Sequence, residues 1–211
     1  MKRFSVIMPV YLGGYDSYNE SRGASDSIHK FVRAVNSFIS QSFNDAELII
    51  ISDGCKDAED VYQLNWKQRS SIRFKALDKQ ITFSGVVRQA GIEMAEGELT
   101  CYLDHDDMFG EKHLEIINEN FDTSKYDWAY YDDYTAHNKE YTDLRTRDNI
   151  PTLGRIGTSS IVHKRSIGVQ WGDGYGHDWV MIEKYLLPLP CKKIQTPQYY
   201  VLHIPGTEID F

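Results

Sequence analysis

Cysteine is scarce in this chain: its 211 residues include only Cys55, Cys101 and Cys191. The number is odd and no Cys-x-x-Cys or Cys/His spacing occurs, so the sequence supports neither a disulfide framework nor a zinc knuckle. A reducing compartment fits this composition best. Cys101 lies within an apolar run, where we expect a small buried core residue.

Long apolar runs are also missing. No run approaches the roughly 20 apolar residues of a membrane-spanning helix, and Pro9 interrupts the first apolar stretch too early for a secretory signal. We therefore expect a cytoplasmic protein without a transmembrane segment. Peripheral contact with the inner face of a membrane stays open.

Basic residues are outnumbered, with 23 Lys and Arg against 31 Asp and Glu, which gives a formal net charge of -8. A nucleic-acid partner is therefore not expected, because it would need Lys and Arg clustered on one face. A ligand that carries phosphate would have to be held by a metal ion and by local positive groups.

What the chain does have is an alternation of apolar strands and helical segments. The runs at 4–10 and 47–52 are apolar throughout, which favours strands buried on both faces of a parallel sheet. Further strands are predicted at 72–77, 99–103, 128–131, 159–163, 192–195 and 199–202, and helices at 58–68, 84–95, 112–120 and 177–187. With 41% hydrophobic residues the chain can bury one sizeable core. We expect one α/β domain over 1–211, with a mostly parallel central sheet flanked by helices and a smaller mixed C-terminal portion.

An amphipathic helix is predicted between the first two strands. Its apolar positions are Ile28, Val32, Val35 and Ile39, and Ser25 or Asp26 can cap its start. A strand, a helix and a second strand imply a right-handed parallel crossover. The segments 12–27 and 143–157 are predicted as long loops that either order on ligand binding or are plain surface loops.

The most informative feature is a cluster of carboxylates directly after the strand at 99–103. Asp104, Asp106 and Asp107 surround His105 there. Carboxylates packed this closely repel one another, and a hard divalent cation such as Mn²⁺ or Mg²⁺ would keep them ionised. Such a run is also found in solvated turns and helix caps, so both interpretations stay open at this point.

Polar residues follow other strands of the same predicted sheet. Tyr11 follows the first strand and Asp53 the second, as Asp104 follows the fourth. In open parallel sheets ligands bind beyond the carboxyl ends of the strands, near the point where the strand order reverses. We therefore expect these side chains to share one cleft.

Five ordered blocks of this sequence resemble the family-two glycosyltransferases of GT-A fold. They are FSVIMPVY at 4–11, SQSF at 40–43, ELIIISDG at 47–54, RQAGIEMAEGE at 88–98 and LDHDD at 103–107. A weaker similarity continues in GHDW at 176–179 and YYVLHIPGT at 199–207. The resemblance implies a Rossmann-like GT-A domain, with a nucleotide-sugar-binding half at 1–107 and an acceptor-side half at 108–211.

The resemblance also implies roles for residues on the nucleotide side. Tyr11, with the backbone near Pro9 and Val10, would lie against the nucleotide base. Asp53 would accept a hydrogen bond from an imide N–H of uracil type, a task that suits an ionised carboxylate because it only accepts. Arg88 would face the base or the diphosphate.

The acidic block would serve the substrate and the metal. By the same resemblance, Asp104 and His105 would contact the substrate. Asp106, with Asp104 and His203, would hold Mn²⁺ or Mg²⁺ against the diphosphate, and Asp107 is a further member of the block.

Asp178 is the candidate catalytic base that the resemblance implies. It would deprotonate an acceptor hydroxyl in an inverting transfer from a nucleotide-diphosphate sugar, expected to be a UDP-sugar. The acceptor would be a glycan or a lipid-linked molecule. As a residue in the first turn of a helix, Asp178 would also favour the helix dipole.

The sequence departs from the family pattern at three places. Ser52 replaces the first Asp of the usual Asp-Asp-Gly, His177 stands where Glu is common, and the 12–27 loop is longer than usual. Trp171 and Trp179 flank the region around His177, where each ring either stacks on a sugar or packs in the core.

Two other functions stay open. Ser52, His177 and the small size are also consistent with a nucleotide-sugar-binding module that has lost catalysis. An Asp-dependent phosphohydrolase would explain the strand followed by Asp-x-Asp, but such a nucleophile usually follows the first strand.

Overall fold

The computed structural model describes residues 2–13, 27–79, 83–136, 142–195 and 198–202. The strands are β1 (Phe4–Val10), β2 (Ala46–Asp53), β3 (Ile72–Leu77), β4 (Leu99–Tyr102), β5 (Met108–Phe109), β6 (Trp128–Tyr131), β7 (Asp133–Ala136), β8 (Leu144–Arg147), β9 (Ile161–Lys164), β10 (Cys191–Ile194) and β11 (Tyr199–Val201). The helices are α1 (Ser27–Ile39), α2 (Lys56–Asn65), α3 (Gly85–Met94), α4 (His113–Asn120) and α5 (His177–Met181). Short 3₁₀ turns lie at Thr158–Ser160 and Arg165–Ile167.

The central sheet has seven strands in the order β10-β6-β9-β4-β1-β2-β3. The strands β1 to β4 run parallel, and β6 and β10 run in the same direction as β4, because only β9 pairs antiparallel with its neighbours. The predicted α/β fold with a mostly parallel sheet is confirmed. Residues of β1 and β2 are buried along their full length, as expected of strands covered on both faces.

Helices cover both faces of this sheet. Alternate residues of a strand point to opposite faces, so Met8 packs with the layer of α1, α2 and α4, whereas Ile7 packs with the layer of α3 and α5. Cys101 is fully buried in the first of these layers, as predicted, and all three cysteines are free thiols.

The helix α1 is present where the periodicity predicts it. Val32, Val35 and Ile39 of the predicted stripe pack against the core, whereas Ile28 is 44% exposed. The stripe omitted two buried rings, Phe31 and Phe38. The predicted cap residues Ser25 and Asp26 lie outside the described residues, as does most of the 12–27 loop.

The C-terminal half contains a second sheet, of four strands in the order β5-β11-β7-β8, that the sequence pattern did not predict apart from β11. The missed strands are two to four residues long, and β8 is mostly exposed and polar. Periodicity is too weak a signal in such short strands. Part of the predicted 143–157 loop is therefore β8, which pairs antiparallel with β7.

The predicted helix at 177–187 divides into α5 and a π-helical turn over Ile182–Leu186. The wider turn places both Ile182 and Leu186 in the core beside Met181. Among the described residues, no helix combines the length and apolar character needed to cross a membrane.

His113 begins α4 and is 2% exposed. Its ring stacks on Phe109 at a centroid distance of 4.1 Å and contacts the edges of Tyr131 and Tyr199. Burial lowers the pKa of His113 to about 3. The folded protein therefore keeps this imidazole neutral at pH values where the unfolded chain already binds a proton.

We predict that His113→Phe reduces the loss of stability in acid. The pKa of His113 is lower in the folded state than in the unfolded chain, so its stabilising contribution is complete above pH 6.5 and is lost as pH falls toward 3. One such histidine steepens the decline of the free energy of unfolding by about 1.4 kcal/mol per pH unit. Urea unfolding between pH 7.5 and 4.5 measures this slope. His29→Phe, on the exposed side of α1, is the control, and equal slopes for His113→Phe and the wild type would contradict the prediction.

Candidate functional site

The carboxyl ends of β1, β2 and β4 form one edge of the central sheet. β1 lies between β2 and β4, so the strand order reverses at β1, where open α/β sheets bind ligands. Val10 is level with Ser52, and Ile7 is level with Tyr102. Tyr11, Asp53 and Asp104 therefore follow their strands at the same edge, as the sequence predicts.

On the β2 side, Lys79 joins Tyr11 and Asp53. The Lys79 Nζ donates a hydrogen bond to Asp53 Oδ2 at 2.7 Å and lies 4.3 Å from the centroid of the Tyr11 ring. Asp53 is 7% exposed. The three side chains form a compact group of one aromatic ring, one carboxylate and one cation.

The turn after β2 fixes the direction of Asp53. Gly54 has a φ of 63°, and a Cβ there would lie 2.5 Å from the backbone nitrogen of Lys79. Ser52 Oγ accepts a hydrogen bond from the Cys55 N–H at 3.1 Å and donates one to the Cys55 carbonyl at 3.0 Å. The serine that departs from the Asp-Asp-Gly pattern thus closes the turn locally, and Asp53 is the carboxylate that remains.

On the β4 side, Arg88 is 5% exposed, and its guanidinium contacts four side chains. Its Nη2 donates to Asp104 Oδ1 at 2.6 Å, its Nη1 donates to Ser84 Oγ, and its Nη1 lies 3.1 Å from His177 Nε2. Its Cζ lies 5.4 Å from the centroid of the Trp171 ring. Arg88 therefore connects α3, the end of β4 and the start of α5.

The contacts of His177 determine its tautomer. Arginine can only donate, so His177 Nε2 accepts from Arg88, and Nδ1 carries the proton that is donated to the Gly174 carbonyl at 2.9 Å. Burial lowers the pKa of His177, and the Arg88 charge lowers it further, against the opposing effect of the Asp178 and Asp104 charges. His177 is a neutral connection between Arg88 and the segment before α5.

Asp178 is half-buried in the first turn of α5. Its Oδ1 accepts a hydrogen bond from the Trp179 N–H at 2.8 Å, and its Oδ2 lies beside Gly157. The segment before α5 begins at Gly172. A Cβ on Gly85, the first residue of α3, would collide with the Gly172 carbonyl oxygen. Gly172 and His177 therefore lie directly against the start of α3, and Asp178 follows His177 in the chain.

The acidic block divides into two kinds of carboxylate. Asp104, His105 and Asp106 are partly exposed, whereas Asp107 is fully buried. Asp107 Oδ2 accepts from the Tyr199 hydroxyl at 2.9 Å, and Oδ1 accepts from the Leu202 N–H at 2.8 Å. Asp107 therefore ties the block to the end of β11.

Two further contacts hold the backbone of the block. The Tyr199 hydroxyl accepts a hydrogen bond from the Asp104 N–H at 3.1 Å, and Arg33 Nη2 donates to the Asp106 carbonyl at 2.6 Å. These contacts fix the loop independently of the Asp104 and Asp106 carboxylates. Pro9 and Val10 are buried within β1, so they can shape a ligand pocket mainly through their backbone.

The donor set suits a hard cation that shares its coordination shell with a ligand. Within the described ranges, no three His, Cys, Asp or Glu side chains are arranged to hold a metal ion. Mg²⁺ and Mn²⁺ need only one or two carboxylates when phosphates and waters complete the shell. Asp104 and Asp106 are the two partly exposed carboxylates of the acidic block, while His203 lies outside the described residues.

Sequence reasoning missed three residues that organise this site: Arg33, Lys79 and Tyr199. Lys79 lies two residues beyond β3, at the same sheet edge as the residues that were identified after the other strands. Tyr199 begins the block YYVLHIPGT, and the family resemblance of this block implies no role for the Tyr199 hydroxyl. Trp171 is 6% exposed and donates from Nε1 to the Tyr102 hydroxyl at 3.2 Å, so it is a packing residue, and Trp179 is half-buried against the same core.

Known proteins resemble this chain over most of its length. The family model described as "Glycosyl transferase family 2" matches residues 5–186. The chain is 32% identical over 119 residues to the poly(ribitol-phosphate) beta-N-acetylglucosaminyltransferase TarP of Staphylococcus aureus, a match that covers 56% of this chain and 32% of that protein. It is 31% identical over 162 residues to the putative glycosyltransferase EpsH of Bacillus subtilis, which covers 75% of this chain and 46% of that protein.

A solved structure has a similar fold. S. aureus TarS residues 1–349, in complex with UDP-GlcNAc, superimpose with a TM-score of 0.70 at 16% identity, over 94% of this chain and 58% of that one. The chain thus spans less than half the length of the two curated relatives and somewhat more than half of the TarS fragment.

We predict that Arg88→Lys destabilises the protein in the absence of any ligand. A lysine carries one point charge and cannot contact Asp104, Ser84 and His177 together in the planar arrangement of a guanidinium. Leaving buried partners without a donor should lower the free energy of unfolding by about 2 kcal/mol. Urea unfolding at pH 7.5 measures it, with Arg69→Lys in the exposed turn before β3 as the control. Equal stability of Arg88→Lys and the wild type would contradict the connecting role.

Proposed function

Because this chain belongs to glycosyl transferase family 2, we propose that it transfers a sugar from a nucleotide-diphosphate donor to a hydroxyl group of a glycan or a lipid-linked acceptor. The observation that carries the proposal is the pair of polar groups on the two sides of β1. Tyr11, Lys79 and Asp53 lie on one side, and Arg88 and Asp104 on the other. A nucleotide-diphosphate donor also has two parts to be bound, a base and a diphosphate, one for each group of side chains.

The group of Tyr11, Lys79 and Asp53 suits a uracil base. The Tyr11 ring offers an aromatic face, and the Asp53 carboxylate can accept a hydrogen bond from an imide N–H in addition to the one from Lys79. The solved TarS complexes with UDP-GlcNAc and UDP support UDP as the nucleotide.

The group around Arg88 suits the diphosphate. Arg88 supplies a fixed positive charge, and its Nε is buried without a hydrogen-bond partner among the described residues. Asp106, with Asp104 and His203, would hold Mn²⁺ or Mg²⁺. When bound, this cation would offset the negative charge of the leaving diphosphate.

Asp178 is the proposed catalytic base of an inverting transfer. Its carboxylate takes the proton of the acceptor hydroxyl while the hydroxyl oxygen forms a bond to the anomeric carbon. The bond between that carbon and the diphosphate oxygen breaks, and the electron pair leaves with the nucleoside diphosphate. His177 is positioned by Arg88 and Gly174, so it fixes the helix start from which Asp178 projects.

We predict that Asp178→Asn retains donor binding but loses transfer. The amide cannot take a proton, so kcat should fall by about a thousandfold while the Kd for UDP stays unchanged. The assay is transfer from UDP-GlcNAc and other UDP-sugars with Mn²⁺, next to calorimetry with UDP. The control is Glu183→Gln, which removes an exposed carboxylate in the next turn. If UDP affinity fell and turnover did not, Asp178 would not be the base.

We further predict that Asp106→Asn weakens UDP binding only when Mn²⁺ is present. The variant removes one charged oxygen ligand, so the Mn²⁺-dependent gain in UDP affinity should drop by about tenfold or more. Calorimetry with and without Mn²⁺ measures the gain, and Asp122→Asn, in an exposed turn after α4, is the control. An unchanged gain would remove Asp106 from the metal site. UDP binding without turnover on any acceptor would instead favour a binding module.

A further inference from the structure

A continuous series of rings leads from the core to the surface beside Asp178. Ring centroids are 5.3 Å apart for Tyr102 and Trp171, 5.7 Å for Trp171 and His177, 6.2 Å for His177 and Phe83, and 5.9 Å for Phe83 and Tyr175. Exposure rises along the series, from 0% at Tyr102 and 6% at Trp171 to 45% at Phe83 and 87% at Tyr175. The inner rings are anchored, and the outer two face solvent.

Phe83 and Tyr175, hereafter the aromatic rim, are an unusual pair on this surface. Eight large apolar side chains are exposed in the described part of the chain, and these two are the only aromatic ones among them. They meet edge to face at 69°. Aromatic rings bury a large area when they can, so two that touch each other and still face water indicate a contact made with something else.

The aromatic rim lies next to the proposed catalytic base. Phe83 contacts His177, the residue before Asp178, and Tyr175 lies three residues before Asp178. The surrounding space is open, since a Cβ added to Gly172, Gly174 or Gly176 would meet no atom of the described residues within 4 Å. Arg88, which is 5% exposed, contacts His177 on one side, and the exposed Phe83 contacts it on the other. The aromatic rim therefore lies on the outer side of His177, away from the proposed diphosphate position.

We propose that the aromatic rim is the acceptor subsite and that its ligand is a pyranose ring, an inference that rests on the proposed function. The C–H face of a pyranose is flat and apolar enough to stack on Phe83 or Tyr175, while its hydroxyls stay in water or point toward Asp178. An open-chain polyol has no such rigid face. Two rings are too small an apolar surface for an acyl chain, so the sugar of an acceptor is the part that fits.

The test is saturation-transfer NMR on the full chain with saturating UDP and Mn²⁺. The probes are methyl β-D-glucopyranoside, methyl N-acetyl-β-D-glucosaminide and ribitol 5-phosphate. We expect saturation of the pyranoside ring protons by the wild type and little for ribitol 5-phosphate. Phe83→Ala and Tyr175→Ala should each reduce the pyranoside signal by about fivefold or more. Tyr175→Phe keeps the ring and should retain the signal, as should the control Leu64→Ala, which removes an 85% exposed side chain on α2.

The outcomes separate this inference from the proposed function. Calorimetry with UDP is run on every variant: absence of UDP binding in the wild type would overturn the proposed function. If UDP binds but Phe83→Ala and Tyr175→Ala give wild-type pyranoside signals, the acceptor subsite is wrong and the donor assignment stands. No pyranoside saturation in the wild type would also overturn the subsite. So would a ribitol 5-phosphate signal as strong as the pyranoside signals that falls with them in Phe83→Ala and Tyr175→Ala. Loss of the pyranoside signal in Tyr175→Phe would overturn stacking on this ring, because it would show that the Tyr175 hydroxyl makes the contact.

Discussion

The buried charge of Arg88 is the constraint on which the site depends. Arg88 is 5% exposed, and a buried guanidinium is destabilising unless its charge is paired and its donors are bonded. Asp104, Ser84 and His177 bond its Nη1 and Nη2 atoms, and each comes from a different part of the fold: the end of β4, the start of α3 and the start of α5. Satisfying one cation thus fixes three segments relative to each other. The proposed leaving-group side and the proposed base are held in place by the same contact network, which is why a helix from the C-terminal half reaches the edge of a sheet built in the N-terminal half.

The parts of this arrangement that could be predicted from the sequence are those specified locally. The strands at 4–10 and 47–52 are apolar throughout, and this pattern alone predicts that both of their faces are covered. Once the strands are parallel, their carboxyl ends share one edge, so the positions of Tyr11, Asp53 and Asp104 follow from chain order. The family resemblance is confirmed as well, since the family model described as "Glycosyl transferase family 2" matches residues 5–186. The division into halves at 107 and 108, the cytoplasmic location and the role of each site residue stay predictions.

The parts that the sequence could not show depend on contacts between distant residues. Lys79 and Asp53 are 26 positions apart, Arg88 and His177 are 89 apart, and Tyr199 and Asp107 are 92 apart. The periodicity of apolar residues is a local signal and does not predict contacts between residues this far apart. Most of the second sheet was not predicted for a related reason. Strands of two to four residues, such as β5 and β8, are determined by the strands they pair with, because they are too short to show an alternation of apolar and polar residues. The predicted apolar stripe of α1 packs against the core except at Ile28, but it omitted Phe31 and Phe38, whose large rings are buried there as well.

The departure at His177 changes the charge balance of the site rather than its geometry. A glutamate at this position, common in the family according to the resemblance, would place a second carboxylate beside Arg88. The neutral imidazole accepts the same hydrogen bond without adding negative charge, and burial together with Arg88 keeps its pKa low, so it stays neutral. The Arg88 charge is therefore balanced by the single carboxylate of Asp104. A second carboxylate would give this group a net negative charge, which would repel the proposed diphosphate. The substitution that weakens the sequence match is therefore compatible with an anionic ligand at Arg88.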